Sequence, residues 1–107
     1  MTARDKSGNT ALHHAIWNGK TAFARSLIEE LNADVNVEDN NGMTPILGAA
    51  HQGHYECMEL LIQNLADVKV RDKQYKHILH YAAVGSNSKC ISLLMKQDIG
   101  LYNVYVS

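Results

Sequence analysis

Long apolar runs are missing from this chain of 107 residues, and none approaches the roughly 20 residues that span a bilayer as a helix. Blocks of like charge are missing too. Ten Lys and Arg stand against eleven Asp and Glu, for a net charge of −1. That balance argues against a nucleic-acid binder working through a basic surface and against a polybasic membrane anchor. The opening MTARDKSGN has no apolar core that would serve as a secretion signal. Catalytic signatures are equally scarce. There is no GxSxG, no glycine loop built to cradle a phosphate and no HExxH. Glu29, Glu30, Glu56 and Glu59 fall on the outer sides of predicted helices and read as solvated charges. These absences leave no support for an enzyme or a bound cofactor, and the apolar share of 46% is ordinary for a globular chain.

What the chain does have is self-similarity. Asp5, Asp39 and Asp72 are spaced by 34 and 33 residues, and a fixed period of that length points to stacked repeats. At an offset of 34, Gly8, Thr10, Leu12, Ala15, Gly19, Leu27 and Ile28 fall on Gly42, Thr44, Ile46, Ala49, Gly53, Leu61 and Ile62. One extra residue near Leu31–Asn32 resets the offset to 33, so that Ala33-Asp34-Val35 meets Ala66-Asp67-Val68. From the second copy to the third, Ile46, Ala49, Ala50, Cys57, Met58, Leu60 and Leu61 meet Leu79, Ala82, Ala83, Cys90, Ile91, Leu93 and Leu94.

The copies carry recognisable pieces: Asp5-x-x-Gly8-x-Thr10-Ala11-Leu12-His13, Thr44-Pro45-Ile46, Gly53-His54, Ile78-Leu79-His80-Tyr81-Ala82-Ala83 and Ala33-Asp34-Val35-Asn36. At these residues the sequence resembles the ankyrin-repeat family, from Asp5 to about Val104. The resemblance implies an all-α ankyrin-repeat solenoid of three helix-turn-helix units with β-turn or hairpin tips. It implies one domain over 1–107, with repeats at about 5–38, 39–71 and 72–104.

Local signals agree with that plan. Thr10 and Thr44 are N-cap residues for the first helices, and Pro45, the lone proline, suits a first helical position. Asn18-Gly19 ends one helix and Asn41-Gly42 makes a turn. Phe23, Leu27, Ile28 and Leu31 recur at helical spacing and predict one buried stripe, followed by an extended arm through Val35 and Val37. Gly48 inside a helix predicts a loss of up to about 1 kcal/mol relative to Ala. In the third copy Tyr75 replaces the turn glycine, His77-Ile78 replaces Thr-Pro, and Ser86 replaces the glycine between helices. The last stretch, Leu101 to Val106, is too apolar for the polar cap that ends a solenoid. It implies a longer array, or self-association through that tail.

Cys57 and Cys90 occupy one position of successive copies. Packed helices lie roughly 8–10 Å apart and a disulfide needs Cα atoms within about 7 Å. Both therefore read as reduced core residues, consistent with an intracellular, cytoplasmic or nuclear protein. The six histidines include His51/His54 and His77/His80 at i, i+3, but no cysteine or carboxylate completes a zinc set. The resemblance gives His13 and His80 a structural place, bonding backbone between adjacent loops.

The remaining chemistry is a surface. The resemblance implies a concave groove binding another protein through the turn tips and the ends of the first helices. Those positions are Lys6, Ser7, Asn9, Trp17 and Asn18; then Asn40, Asn41, Met43, His51 and Gln52; then Lys73, Gln74, Lys76, Val84 and Gly85. Trp17, His51 and Val84 share one repeat position and should line up along the groove. Tryptophan is strongly enriched at binding hot spots; the competing reading is that Trp17 covers the end of the first copy. Lys73 and Lys76 make the third tips basic. The resemblance also marks Asn36 as a site for asparagine hydroxylation.

Overall fold

The computed structural model describes residues 4–74, 76–85 and 88–96. Six helices run in order: α1 (Ala11–Trp17), α2 (Thr21–Glu29), α3 (Pro45–Gln52), α4 (Tyr55–Gln63), α5 (Ile78–Gly85) and α6 (Ser88–Lys96). Among the described residues no strand forms, and one antiparallel bridge joins Arg71 to His77. Helices pair within a copy, α1 with α2, α3 with α4 and α5 with α6. The first helices stack on one another, as do the second helices. This is the all-α solenoid that the repeat implies. The apolar tail Leu101–Val106, Tyr75 and Ser86 lie outside the described residues.

Two layers of small and aliphatic side chains make the core. Ile46, Leu47, Ala49, Ala50, Met58, Leu60 and Leu61 of the second copy are all fully or almost fully buried. The stripe on α2 is narrower than its spacing predicts. Ala24, Leu27 and Ile28 are buried, but Phe23 is 56% and Leu31 71% exposed. Cys57 and Cys90, which match Phe23 in the later copies, are fully buried. In those copies the second helix of the preceding copy packs alongside; the described residues put no helix there for Phe23. Leu31 lies past the end of α2, where helical periodicity no longer turns a side chain inward.

The start of α1 is closed by a threonine–histidine pair. Thr10 Oγ1 accepts from the His13 amide at 3.4 Å, and the Thr10 amide donates to His13 Nδ1 at 3.0 Å. This is a capping box with imidazole in place of the usual Glu or Gln. Thr44 has the same extended backbone, but, contrary to the sequence expectation, its side chain caps nothing, and its buried hydroxyl has no partner among the described residues. Leu47 stands where the first copy has His13, so the reverse half of the pair, from imidazole to the cap amide, is also absent. Pro45 opens α3 instead. In the third copy the His77 amide donates to His80 Nδ1 at 3.2 Å, so half of the pair returns without a threonine.

Gly48 has a packing reason to be glycine. The Trp17 indole lies directly over it, and a Cβ there would stand inside the ring, on Nε1, Cδ1 and Cε2. Past the second helices, Asn32 (φ 55°) and Leu65 (φ 67°) take the left-handed conformation. Each lets the following amide bond back, Ala33 to the Leu27 carbonyl and Ala66 to the Leu61 carbonyl, both at 3.0 Å.

Candidate partner-binding surface

Each turn tip is built around one carboxylate. Asp5 Oδ1 accepts from the amides of Ser7 and Asn9, both at 2.9 Å. Asp39 Oδ1 accepts from Asn41 at 2.8 Å and Met43 at 2.9 Å. Asp72 Oδ1 accepts from Gln74 at 2.8 Å and Lys76 at 3.0 Å. The third turn therefore keeps the same aspartate scaffold although its glycine position is Tyr75. Burial works against ionised Asp72 but is outweighed by the Tyr81 hydroxyl, these amides and the nearby Lys76 charge, so its pKa stays below the usual 3.8.

Backbone bonds join tip to tip. The Asn40 amide donates to the Ser7 carbonyl at 2.9 Å, and the Lys73 amide to the Asn41 carbonyl at 3.0 Å. Asn40 Nδ2 reaches the Lys6 carbonyl at 3.1 Å, and Arg4 donates to the Glu38 carbonyl at 2.7 Å. Histidines fasten the layer beneath. His13 is fully buried, with Nε2 2.9 Å from the Met43 carbonyl. With Nδ1 accepting from Thr10, the ring is neutral and Nε2 carries the proton. Burial holds its pKa below the ordinary 6.5, against the pull of the Met43 carbonyl and Asp39. His54 Nε2 lies 3.1 Å from the Trp17 carbonyl. Two of the six histidines thus tie the first copy to the second. Among the described residues, no group of three or more His, Cys, Asp or Glu gathers as a metal-binding cluster. No described helix is long and apolar enough to cross a membrane. Cys57 and Cys90 are buried and form no disulfide, and burial pushes both thiols up.

The positions expected to face a partner divide into groups. Lys6, Ser7, Asn18, Asn40, Asn41, His51, Gln52, Lys73, Gln74 and Lys76 are exposed, and Val84 is 67% exposed. Met43, Asn9 and Gly85 are half-buried. Some side chains have structural tasks: Asn18 Nδ2 donates to the His14 carbonyl at 2.7 Å, and Asn40 bonds the first tip as above. Trp17 is half-buried, seated on Gly48, edge-on to His13 at 5.1 Å between ring centroids. Its Nε1 is buried without a partner among the described residues. Asn36 is exposed, and its Oδ1 accepts from the Asp67 amide of the next copy at 2.7 Å.

Four of these positions converge. Asn41, Met43, Lys73 and Gln74 line an open cleft of about 330 Å³ between the second and third tips, with Asp72 and Tyr81. Tyr81 was missed by the sequence reading. Its hydroxyl donates to Asp72 Oδ2, and its ring meets His51 edge-on at 5.7 Å. A signal was present: Tyr81 falls on His14 and Gly48 of the earlier copies. His14 Nε2 likewise reaches Asp5 Oδ2 at 2.9 Å. This helix position thus serves the turn aspartate in the first and third copies, and in the second it is vacated for Trp17.

Turn tips projected from stacked helix pairs define a helical repeat scaffold. The chain belongs to the ankyrin-repeat family: it matches the pattern for ankyrin repeats in three copies over residues 31–103, and that for ankyrin repeats in many copies over residues 2–47. It is 43% identical over 68 residues to protein phosphatase 1 regulatory subunit 12A of Mus musculus, covering 64% of this chain and 6% of that protein. Similarity at 29% over 90 residues links it to target of rapamycin complex 2 subunit AVO2 of Saccharomyces cerevisiae, covering 84% of this chain and 21% of that one. The probable palmitoyltransferase AKR2 of Saccharomyces uvarum is 28% identical over 106 residues, 14% of its length. The chain therefore spans between 6% and 21% of these relatives.

Proposed function

We propose that this chain is a protein–protein interaction module, acting as a scaffold, adaptor or inhibitor, that binds a partner protein through its concave face. The observation that carries this reading is the cleft between the second and third tips. There Met43 and Tyr81 offer apolar surface beside the polar ends of Asn41, Lys73 and Gln74. The face is preorganised by the aspartate-held turns, so little loop entropy is lost on binding. Two relatives are by name a regulatory subunit and a complex subunit, which supports a part within an assembly rather than catalysis. We read the three copies as one domain, and two reduced cysteines support an intracellular setting.

The test compares partner capture by three baits: the parent chain, a groove variant carrying His51→Asp and Val84→Asp, and an outer-helix variant carrying Glu56→Lys. Loss of the captured partner with the groove variant alone is the expected result. Loss with the outer-helix variant alone would move the site to the convex side. The second reading, a segment of a longer array with no groove ligand of its own, is favoured by the small share of its relatives that the chain spans. Hydroxylation of Asn36 is a further expectation of the same reading. Its side chain is exposed at the repeat junction, and intact mass from cells without a shift of about 16 Da at Asn36 would remove it.

A further inference from the structure

The tips differ in charge in a way that gives the groove a direction. Around the first tip stand the cations Arg4 and Lys6 and the carboxylate Asp5. The second tip carries Glu38 and Asp39 and no cation, and Asp39 is buried and bonded to its own turn amides. The third tip carries three cations, Arg71, Lys73 and Lys76, all exposed, against one carboxylate. That carboxylate, Asp72, is buried, and its two oxygens already accept from two amides and the Tyr81 hydroxyl. No ion pair within 4 Å engages Arg71, Lys73 or Lys76 among the described residues. The surplus positive charge thus borders a mainly polar cleft to which Met43 and Tyr81 lend apolar surface. Lys73 is held in place there: its amide is fixed to the Asn41 carbonyl, and its stem lies against Gly42, close enough that a Cβ on that glycine would meet Lys73 Cγ at 3.2 Å.

We infer that the groove recognises an acidic segment of its partner, with an Asp or Glu carboxylate against Lys73 and Lys76 and a neighbouring aliphatic or aromatic side chain in the Met43–Tyr81 cleft. This inference rests on the concave-face reading above and adds the chemistry and polarity of the ligand. The acidic end lies over the third copy, and the uncharged end runs toward His51 and the first copy. A single exposed ion pair contributes little, but two ammonium groups beside a cleft with some apolar surface select by charge as well as by size.

The test uses a random 12-residue peptide library displayed on phage and panned against the parent chain and against a Lys73→Glu, Lys76→Glu variant. Both lysines are exposed, so the variant keeps the parent's far-UV spectrum and melt. The parent should enrich peptides with Asp or Glu next to Leu, Met or Phe. Synthetic versions should bind the variant at least about tenfold more weakly and lose affinity with added salt. The variant should instead enrich Lys or Arg at that place. Peptides without acidic enrichment, the same peptides selected by both proteins, or no enrichment at all would overturn the inference. Amide shifts on peptide titration separate the two claims. Peptides that are not acidic but perturb Met43, His51 and Lys73 leave the groove standing and refute its charge preference. Acidic peptides that perturb only α4 and α6 refute the concave site itself.

Discussion

Gly48→Ala should destabilise this protein, although the same change inside most helices does the opposite. Alanine exceeds glycine in helix propensity by about 1 kcal/mol, so α3 by itself would gain roughly that much. Here the added methyl would occupy the place of the Trp17 indole, meeting Nε1, Cδ1 and Cε2. The ring must leave or α1 must back away from α3. Truncating a fully buried Trp costs about 3–5 kcal/mol, and Trp17 is only half-buried, so displacing it costs about 2 kcal/mol. The net loss is about 1 kcal/mol, which for a chain of this size lowers the melting temperature by roughly 4–8 °C.

Sign reversal makes the test sharp. Trp17→Ala alone should lose about 2 kcal/mol, but in that background Gly48→Ala should gain about 1 kcal/mol, because the methyl now has room. Urea melts of the four proteins give a coupling of about 2 kcal/mol. Trp17 is the only tryptophan in the chain, so fluorescence reports on it alone, and emission should shift to the red in Gly48→Ala. A stabilising Gly48→Ala in the parent, or a cycle additive within about 0.5 kcal/mol, would refute the packing argument. The same result bears on binding. If Trp17 is committed to Gly48, an alanine at 17 weakens the fold first, and the groove's available contacts are His51, Tyr81, Met43 and Val84.

Three further outcomes follow from the geometry. Leu65 is 85% exposed at φ 67°, where a non-glycine residue costs about 1–2 kcal/mol, so Leu65→Gly should raise stability by about 0.5–1 kcal/mol after the extra chain entropy of glycine; a lower melting temperature would contradict this. Burial lowers the pKa of His13 and also of His77, so the folded state binds fewer protons than the unfolded one; stability is fully present above the ordinary 6.5 and is lost as pH falls below it, and His13→Gln should flatten that slope in melts between about pH 7.5 and pH 5. Leu61→Ala, at a fully buried site in the copy that is covered on both sides, should cost about 2–5 kcal/mol, and a cooperative melt as hot as the parent's would count against one shared core.

The fold was legible because its signals repeat. A lone Asn-Gly or a lone Thr-Pro is weak, whereas alignment of Leu12 with Ile46 and Leu79, three times in phase, leaves little room for another architecture. Errors arose where a copy lacked a neighbour or a partner residue. Phe23 has the helical spacing of a core residue, but burial at that position comes from a preceding helix pair, which periodicity within α2 does not report. Thr44 has the identity of an N-cap, but its side chain makes no cap bond, and Leu47 also lacks the imidazole that completes the pair in the first copy. The seat of Trp17 on Gly48 was not legible, because Gly48 lies 31 residues away and reads in sequence only as a weak helix position. Tyr81 was overlooked because its task, bonding Asp72, depends on a contact nine residues back that folding the turn creates.

The partner is harder to read than the fold for a reason visible in the turns themselves. Each aspartate is fixed by the amides two and four residues later: Ser7 and Asn9, Asn41 and Met43, Gln74 and Lys76. The residue between aspartate and the first of these, Asn40 or Lys73, ties its tip to the previous one through its own amide. The fold therefore uses the backbone of the very positions whose side chains face outward. Any residue with an N–H satisfies the scaffold there, so the turn itself does not fix those side chains. That division explains how Asn, Met, Gln and Lys occupy equivalent positions without disturbing the turn. It also locates the information that remains. The copies differ in these side chains, and the largest difference is the step from a second tip with Glu38, Asp39 and no cation to a third with Arg71, Lys73 and Lys76.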